Sequence, residues 1–291
     1  MTCALSIVWA YNWIVIKEAL QFSGPFDYTA LRCIAGSLVM FGVLKIMNKP
    51  LAPPALGRAF TLGLFQTTGF LCFSSWALVE GAVGKSTVLI YTFPFWTLLF
   101  ARIALGERIR GLQWLGVGLA ATGLLLVLEP WNLTGSPFSR VLAVLAGISW
   151  AISSVVAKRW RRHAEYDIIR VATWQLFLGG IVCCAIAVIV PSRAIEWNGY
   201  FILLIAASGI VAIAFGWLLW LHILRRLSAG VAGLGMLAVP ALGVLFSRLH
   251  YGETFDGIEI AGMLLLGASL VLLSWLNMRS PADSAPVPTR A

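Results

Sequence analysis

Ten apolar segments, each long enough to cross a lipid bilayer, restrict the fold of this 291-residue chain more than any other feature. A helix needs about 20 residues to span the hydrocarbon core, at roughly 1.5 Å of rise per residue. The segments occupy residues 3–20, 27–47, 56–79, 83–104, 111–129, 138–158, 168–190, 200–223, 229–250 and 257–277. We therefore predict an all-α polytopic membrane protein with ten transmembrane helices.

The composition supports a lipid environment. The chain is 60% apolar and 11% charged, whereas a typical soluble domain is roughly 25% charged. A soluble chain of this length could not bury that much apolar surface. The lipid bilayer is thus a predicted partner, and the net charge of +9 is not interpreted as a sign of nucleic-acid binding.

The distribution of basic residues predicts the orientation. Fifteen Lys and Arg residues fall on the side that holds both termini and the even-numbered connections. Six fall on the other, outer side: Lys17, Arg32, Lys85, Arg140, Arg193 and Arg248. Cytoplasmic loops carry the excess of basic residues, so both termini are expected in the cytoplasm. The Pro- and Ser-rich tail, residues 279–291, is predicted to be disordered.

An internal repeat divides the chain. The stretch PFWTLLFARIALGERIRG from Pro94 returns as PALGVLFSRLHYGETFDG from Pro240, with seven of eighteen positions identical at an offset of 146 residues. We predict two five-helix repeats, residues 1–132 and 133–278. Because five is odd, the second repeat enters the membrane from the opposite side. The halves are then inverted, as in many secondary transporters that work by alternating access.

Several motifs match a known family over about residues 5–276. They are WAYNWIVIK from Trp9, ALRCIAGSL around Arg32, SWAISSVVAKR from Ser149 and the Pro…Gly-Glu…Gly pattern at the end of each half. In these motifs the chain resembles the EamA-type exporters of the drug/metabolite transporter superfamily. The resemblance implies a ten-helix exporter of the bacterial inner membrane. The wealth of Trp and Phe is most similar to bacterial aromatic amino acid exporters.

Two prolines are candidate hinges. Pro94 and Pro240 lie near the middle of their predicted helices, where each frees the carbonyl four residues earlier, at Ile90 and Met236. A freed carbonyl in the membrane is tolerated only against protein or a wet cavity. We predict a pair of hinges that border the substrate site; the alternative is a pair of static kinks.

Polar and aromatic residues inside the helices are candidates for a substrate cavity. Trp9, Asn12 and Trp13 share one face of the first helix, and Trp150, Ser153 and Ser154 repeat that arrangement at an offset of 141 residues. Gln66, Tyr91 and Trp217, each inside the apolar part of another predicted helix, are further candidates. The alternative is hydrogen bonding between helices. We predict a cavity lined by Trp9, Asn12, Gln66, Tyr91, Trp150, Ser153 and Trp217.

The acidic residues of the repeated motif are assigned a structural role. Glu107 and Glu253 lie where one helix ends and the next begins, so we predict that they cap helix ends and do not relay protons. No carboxylate lies at the centre of a predicted span, and every basic residue is expected near a helix end or in a connection. These positions argue against phosphorylated substrates and against a proton-carrying carboxylate in the membrane.

The remaining signals define the predicted function. Scattered histidines, cysteines within apolar runs and the absence of a phosphate-binding loop predict no metal site, no catalytic residues, no cofactor and no ATPase subunit. We predict a monomeric or homodimeric secondary transporter that exports small neutral amphipathic metabolites, aromatic amino acids foremost. The alternatives are a multidrug or other metabolite exporter and, from a different class, an intramembrane enzyme.

Overall fold

The computed structural model describes residues 2–106, 109, 111–129, 131, 136–161, 167–226 and 238–279. Within the described residues all regular secondary structure is helical, without a β-strand. The helices are α1 (Thr2–Ala19), α2 (Pro25–Ile46), α3 (Leu56–Glu80), α4 (Val83–Leu105), α5 (Leu112–Leu128), α6 (Pro137–Arg161), α7 (Ile168–Ile189), α8 (Gly199–Ala206, continued by Ala207–Phe215 and Gly216–Arg226), α9 (Ala238–Tyr251) and α10 (Gly257–Arg279).

Seven of these helices, as far as the structure describes the chain, are long and apolar enough to cross a membrane: α2, α3, α4, α6, α7, α8 and α10. The prediction of an all-α polytopic membrane protein is therefore confirmed. Three predicted spans fall outside this set. Helix α1 carries Asn12, Lys17 and Glu18, α5 has 17 residues, and residues 227–237 before α9 lie outside the described chain. The number of ten crossings stays a prediction.

Two helices contain a wider, π-helical stretch at matching places in the sequence. The stretch in α3 covers Gly63–Gly69, and the stretch in α8 covers Ala207–Phe215. Adding the repeat offset of 146 to residues 63–69 gives 209–215, which lies inside the second stretch. In a π-helix the i→i−4 hydrogen-bond ladder is interrupted, so side chains from other helices can reach the backbone carbonyls there.

The helices pack in matched pairs. Helix α1 packs against α8 and α9, while α6 packs against α3 and α4. Helix α2 packs against α7 and α8, and α3 also packs against α7. The remaining large contacts join α4 to α9 and α5 to α10. Exchanging each helix of the first five with its counterpart in the second five reproduces this set of large contacts.

Glycines allow two of these pairs to approach closely. A methyl group added to Gly179 would lie 2.7 Å from the carbonyl oxygen of Gly63, so the absence of a side chain at Gly179 lets α7 lie directly against α3. A methyl group added to Gly36 would lie 2.7 Å from the carbonyl oxygen of Gly209, so Gly36 lets α2 approach α8 in the same way. Small residues at such crossings are typical of helix packing in membranes.

The turn before α10 caps a helix from the other half of the chain. The Glu253 carboxylate accepts hydrogen bonds from the backbone N–H groups of Val83 (2.7 Å) and Gly84 (3.0 Å) at the start of α4. A carboxylate there satisfies unpaired N–H groups and faces the positive end of the helix dipole. Glu253 thus has a capping role, but its target is α4 and not the following helix. Glu107 lies outside the described residues.

The start of α7 is held by a charged contact. Asp167 caps α7 by accepting hydrogen bonds from the N–H groups of Ile169 (3.0 Å) and Arg170 (3.4 Å), and it forms an ion pair with Lys49. Burial favours a higher pKa for Asp167. The Lys49 ammonium and the two N–H groups outweigh burial and hold the pKa below its usual value.

Candidate functional site: a central aromatic cavity

A cavity of about 570 Å³ lies among helices α1, α2, α3, α4, α6, α7 and α8, with α10 completing its wall. The structure places all seven predicted cavity residues on that wall: Trp9, Asn12, Gln66, Tyr91, Trp150, Ser153 and Trp217. Both predicted halves of the chain contribute to it. That these side chains bind a substrate remains a prediction.

Aromatic rings form a continuous side of the cavity. The ring centre of Trp150 on α6 lies 4.7 Å from that of Phe70, 5.8 Å from that of Phe93 and 5.8 Å from that of Trp217. The Trp150 and Trp217 planes are 28° apart, so these two indoles stack. Tyr91 continues the series, with its ring centre 5.6 Å from that of Phe93. Such a wall can hold an apolar ring by stacking and edge contacts.

Side chains from α1 and α6 bind the two π-helical stretches. The indole Nε1–H of Trp9 donates a hydrogen bond to the Ala212 carbonyl oxygen in α8 (2.9 Å). The hydroxyl of Ser149 donates a hydrogen bond to the Phe65 carbonyl oxygen in α3 (2.7 Å). Each bond joins one half of the chain to the other. The function of Trp9 is therefore partly structural, because its only donor is used within the protein.

Amide and hydroxyl groups make up the polar part of the wall. Gln175 on α7 donates a hydrogen bond from Nε2 to Oε1 of Gln66 (3.0 Å). The Ser153 hydroxyl donates to the carbonyl oxygen of Trp150 in its own helix (2.7 Å) and keeps its acceptor capacity. Gln175 was missing from the predicted set. Its position as an isolated amide in the apolar segment 168–190 was the sequence signal that could have identified it.

Three buried polar atoms on residues of the cavity wall have no hydrogen-bond partner within the described chain. They are Oδ1 of Asn12, Nε1 of Trp13 and Nε of Arg32. A buried donor or acceptor without a partner carries a free-energy penalty of about 1–3 kcal/mol. Residues that line the cavity therefore hold one buried acceptor and two buried donors whose bonding capacity is unused.

Arg32 corrects one sequence-based expectation. The prediction that every basic residue lies near a helix end or in a connection is wrong, because Arg32 is the eighth residue of the 22-residue helix α2 and is 1% exposed. At 1.5 Å per residue it lies about 10 Å along the axis from the start of α2. It borders the cavity. The argument against anionic substrates from the absence of a central cation no longer holds.

The model of one protein family matches residues 1–129 and 138–275, nearly the whole chain. The chain belongs to the EamA-like transporter family. Relatives of this EamA protein include "Uncharacterized transporter YoaV" of Bacillus subtilis, 25% identical over 92% of this chain and 91% of the relative. The "Uncharacterized inner membrane transporter YedA" of Escherichia coli is 24% identical, over 98% and 93% of the two chains.

A third relative carries a more specific name. It is the "Probable amino-acid metabolite efflux pump" of Salmonella typhimurium, 25% identical over 91% of each chain. A solved crystal structure at 20% identity matches the fold with a TM-score of 0.65, over 96% of this chain and 99% of that one. Together with the apolar helices, these matches identify the EamA protein as a multi-pass transporter of the bacterial inner membrane.

The two predicted hinges of the EamA protein occupy different surroundings. Pro94 borders the cavity and is the second residue of the second part of α4, which follows a turn at Tyr91 and Thr92 that interrupts the helix. The Ile90 carbonyl oxygen lies 2.8 Å from the place where a methyl group on Gly147 would lie, so the freed carbonyl packs against α6. Pro240 is buried near the described start of α9 and is not on the cavity wall. Met236 lies outside the described residues, and hinge motion remains a prediction.

An ion cluster joins four helices at one end of the transporter. The Lys85 ammonium at the start of α4 lies 3.3 Å from Glu129, which ends α5, and also pairs with Glu259 at the start of α10. Arg140 of α6 donates a hydrogen bond to the Leu128 carbonyl oxygen at 2.7 Å. Lys85 and Arg140 were both assigned to the outer side from the sequence, and the structure places them at the same end.

Proposed function

We propose that this EamA protein is a secondary transporter that exports small amphipathic metabolites, aromatic amino acids foremost, by alternating access. In this proposal ten crossings form two inverted five-helix halves, with both termini in the cytoplasm. The observation that carries the proposal is the central cavity, whose wall joins aromatic side chains from both halves.

Matched contacts in the two halves support the inverted arrangement. The π-helical stretch of α3, shifted by the repeat offset, falls inside that of α8, and the glycines of the α3–α7 and α2–α8 crossings approach the facing carbonyl oxygens to matching distances. The π-helical stretch in each half is bound by a side chain from the other half. Halves related in this way can exchange conformations, which would move the opening of the cavity from one side of the membrane to the other.

The size and chemistry of the cavity support the substrate class. A volume of about 570 Å³ falls within the roughly 300–1,000 Å³ of small-molecule sites in proteins. The stacked Trp150 and Trp217 rings suit an aromatic side chain, and the amides of Gln66 and Gln175 suit polar groups. The name of the Salmonella relative also favours amino-acid metabolites. A multidrug exporter would use the same aromatic wall, so substrate flux has to decide between them.

The energy source is proposed to be the substrate gradient. The described residues on the cavity wall include no Asp or Glu that could carry a proton through the membrane. Export would then proceed as exchange or facilitated diffusion. A proton cycle would require a titratable group at the site. Catalysis by an intramembrane enzyme would require a nucleophile with an acid–base partner at the cavity, and the described wall does not combine such groups.

The test is flux in liposomes that contain only this protein. We expect movement of tryptophan and phenylalanine, with the same initial rate with and without a pH gradient. Replacing Trp150 with alanine should lower kcat/KM for tryptophan about tenfold or more, since it removes the ring that contacts Phe70, Phe93 and Trp217. Trp131→Ala, at a 59% exposed position, is the matched control and should transport normally.

Two results would contradict the proposal. Flux of a sugar phosphate without flux of the amino acids would refute the substrate class. A fixed number of protons moved per substrate molecule would refute the coupling scheme.

A further inference from the structure

Arg32 is the one residue with a formal charge among the described residues that border the cavity. It lies inside α2 and is 1% exposed. A charged side chain inside a membrane protein is costly and is retained where it faces a cavity or has a partner. The surroundings of the guanidinium therefore show what partner it has.

The guanidinium has neutral partners only. Its two terminal nitrogens donate hydrogen bonds to the hydroxyls of Ser208 (3.3 Å) and Ser75 (3.1 Å), and its central carbon lies 5.3 Å from the ring centre of Tyr28. Nε has no partner. The ion pairs found in the described chain include no carboxylate on Arg32. A buried cation with neutral partners only is stabilised strongly by an anion.

The matching position in the other half holds a neutral side chain. A methyl group on Gly209 would lie 2.6 Å from the Arg32 carbonyl oxygen, and a methyl group on Gly63 would lie 2.6 Å from the Gln175 carbonyl oxygen. Arg32 in α2 and Gln175 in α7 thus occupy equivalent places at the two glycine crossings. Both border the cavity. Because a glutamine occupies this place in one half, the helix crossing itself does not need a charge.

We propose that Arg32 binds the carboxylate of the transported molecule, an amino acid in its zwitterionic form. The inference rests on the proposed function. Guanidinium groups bind carboxylates through charge-assisted, often bidentate hydrogen bonds. Nε1 of Trp13 offers a further donor to the carboxylate, and Oδ1 of Asn12 offers an acceptor to the ammonium group. Because Gln175 at the equivalent place in the other half is neutral, the single charge of Arg32 would fix the orientation of the bound molecule.

The test compares a substrate with and without its carboxylate. Liposomes containing the wild type, Arg32→Gln, Arg32→Lys or the control Lys45→Gln are supplied with L-phenylalanine or phenylalaninamide. Lys45→Gln removes one charge from the exposed end of the same helix. We expect Arg32→Gln to lower kcat/KM for phenylalanine about tenfold or more and to leave kcat/KM for the amide unchanged. Arg32→Lys should keep the preference for phenylalanine because it keeps the charge. Lys45→Gln should match the wild type.

A parallel loss for both compounds in Arg32→Gln would overturn the inference, because a purely structural role affects them equally. A binding measurement separates this outcome from failure of the export proposal. Thermal unfolding of the detergent-solubilised full chain is followed with phenylalanine, phenylalaninamide or inorganic phosphate. Stabilisation by phenylalanine alone, lost in Arg32→Gln, supports the carboxylate site even if liposomes show no flux. Stabilisation by phosphate and not by phenylalanine, or equal stabilisation of the wild type and Arg32→Gln by phenylalanine, overturns it.

Discussion

Replacing Gly179 with alanine places a methyl group at the closest point between α3 and α7. That methyl group would lie 2.5 Å from Cβ of Thr67 and 2.7 Å from the carbonyl oxygen of Gly63. Neither atom can move away by side-chain rotation, because a Cβ and a carbonyl oxygen are both fixed by the backbone. Carbon atoms in contact lie about 3.5–4.0 Å apart, so the two helices have to separate by about 1 Å.

The expected cost follows from two opposing effects. Overpacking of this kind destabilises a fold by about 1–3 kcal/mol, and alanine regains up to about 1 kcal/mol of helix propensity relative to glycine. We therefore expect Gly179→Ala to lower the free energy of unfolding by about 1–2 kcal/mol. The same separation stretches the 3.0 Å hydrogen bond between Gln175 and Gln66 and the 2.9 Å bond from Thr68 to the Gly179 carbonyl oxygen. Transport should fall with stability, since Gln66 and Gln175 lie on the cavity wall.

The assay is thermal or denaturant unfolding in one detergent, with flux measured on the same preparations. Gly42→Ala in α2 is the control, because a methyl group at Gly42 meets nothing within 4 Å. It should be neutral or slightly stabilising. If Gly179→Ala proves as stable and as active as Gly42→Ala, the close α3–α7 contact does not contribute as described and the reasoning fails.

Three further outcomes are expected. A single cysteine introduced at Asn48 in the α2–α3 connection should react with an impermeant thiol reagent from the cytoplasmic side only. A single cysteine at Ser192 in the α7–α8 connection should react from the outside only. The reverse pattern would refute the topology. Pro94→Ala should restore the backbone bond and reduce flux far more than membrane insertion, whereas unchanged flux would leave a static kink. Because the pKa of Asp167 is lowered in the folded protein, the stability that its contacts provide is present above the unfolded pKa and is lost as the pH falls through the folded value. Asp167→Asn should remove that part of the acid sensitivity, and Lys49→Gln should remove some of it. If Asp167→Asn unfolds in acid as the wild type does, Asp167 does not contribute to the acid sensitivity as described.

The sequence predicted the helices well because lipid imposes a strict length and polarity on each crossing. Outside the start of α9, where residues 227–237 are not described, each helix begins and ends within three residues of its predicted span. The cavity residues were also accessible from the sequence. Trp150 and Gln66 were selected because polar or aromatic side chains in the middle of an apolar helix need a partner or a cavity, and both lie on the cavity wall.

Periodicity and composition could not show how the backbone departs from a regular helix. The π-helical stretches Gly63–Gly69 and Ala207–Phe215 share no sequence pattern that distinguishes them from regular helix. Side chains from α1 and α6 bind carbonyl oxygens within them. Likewise the target of Glu253 is the start of α4, some 170 residues away in the chain. These contacts depend on which helices become neighbours, and a helix pattern contains no information about its neighbours.

Arg32 shows the limit most clearly. By sequence it stands five residues inside a predicted span that begins at residue 27, so it was counted with the flanking charges of the outer side. The composition and the apolar segments determined that the protein lies in a membrane. The aromatic residues within those segments predicted an aromatic cavity between the helices. Only the tertiary structure decided that Ser75 and Ser208 from two other helices enclose Arg32 and that it borders the cavity. The physical reason is that the free energy of a buried charge depends on the side chains brought around it by packing, and not on its position along its own helix.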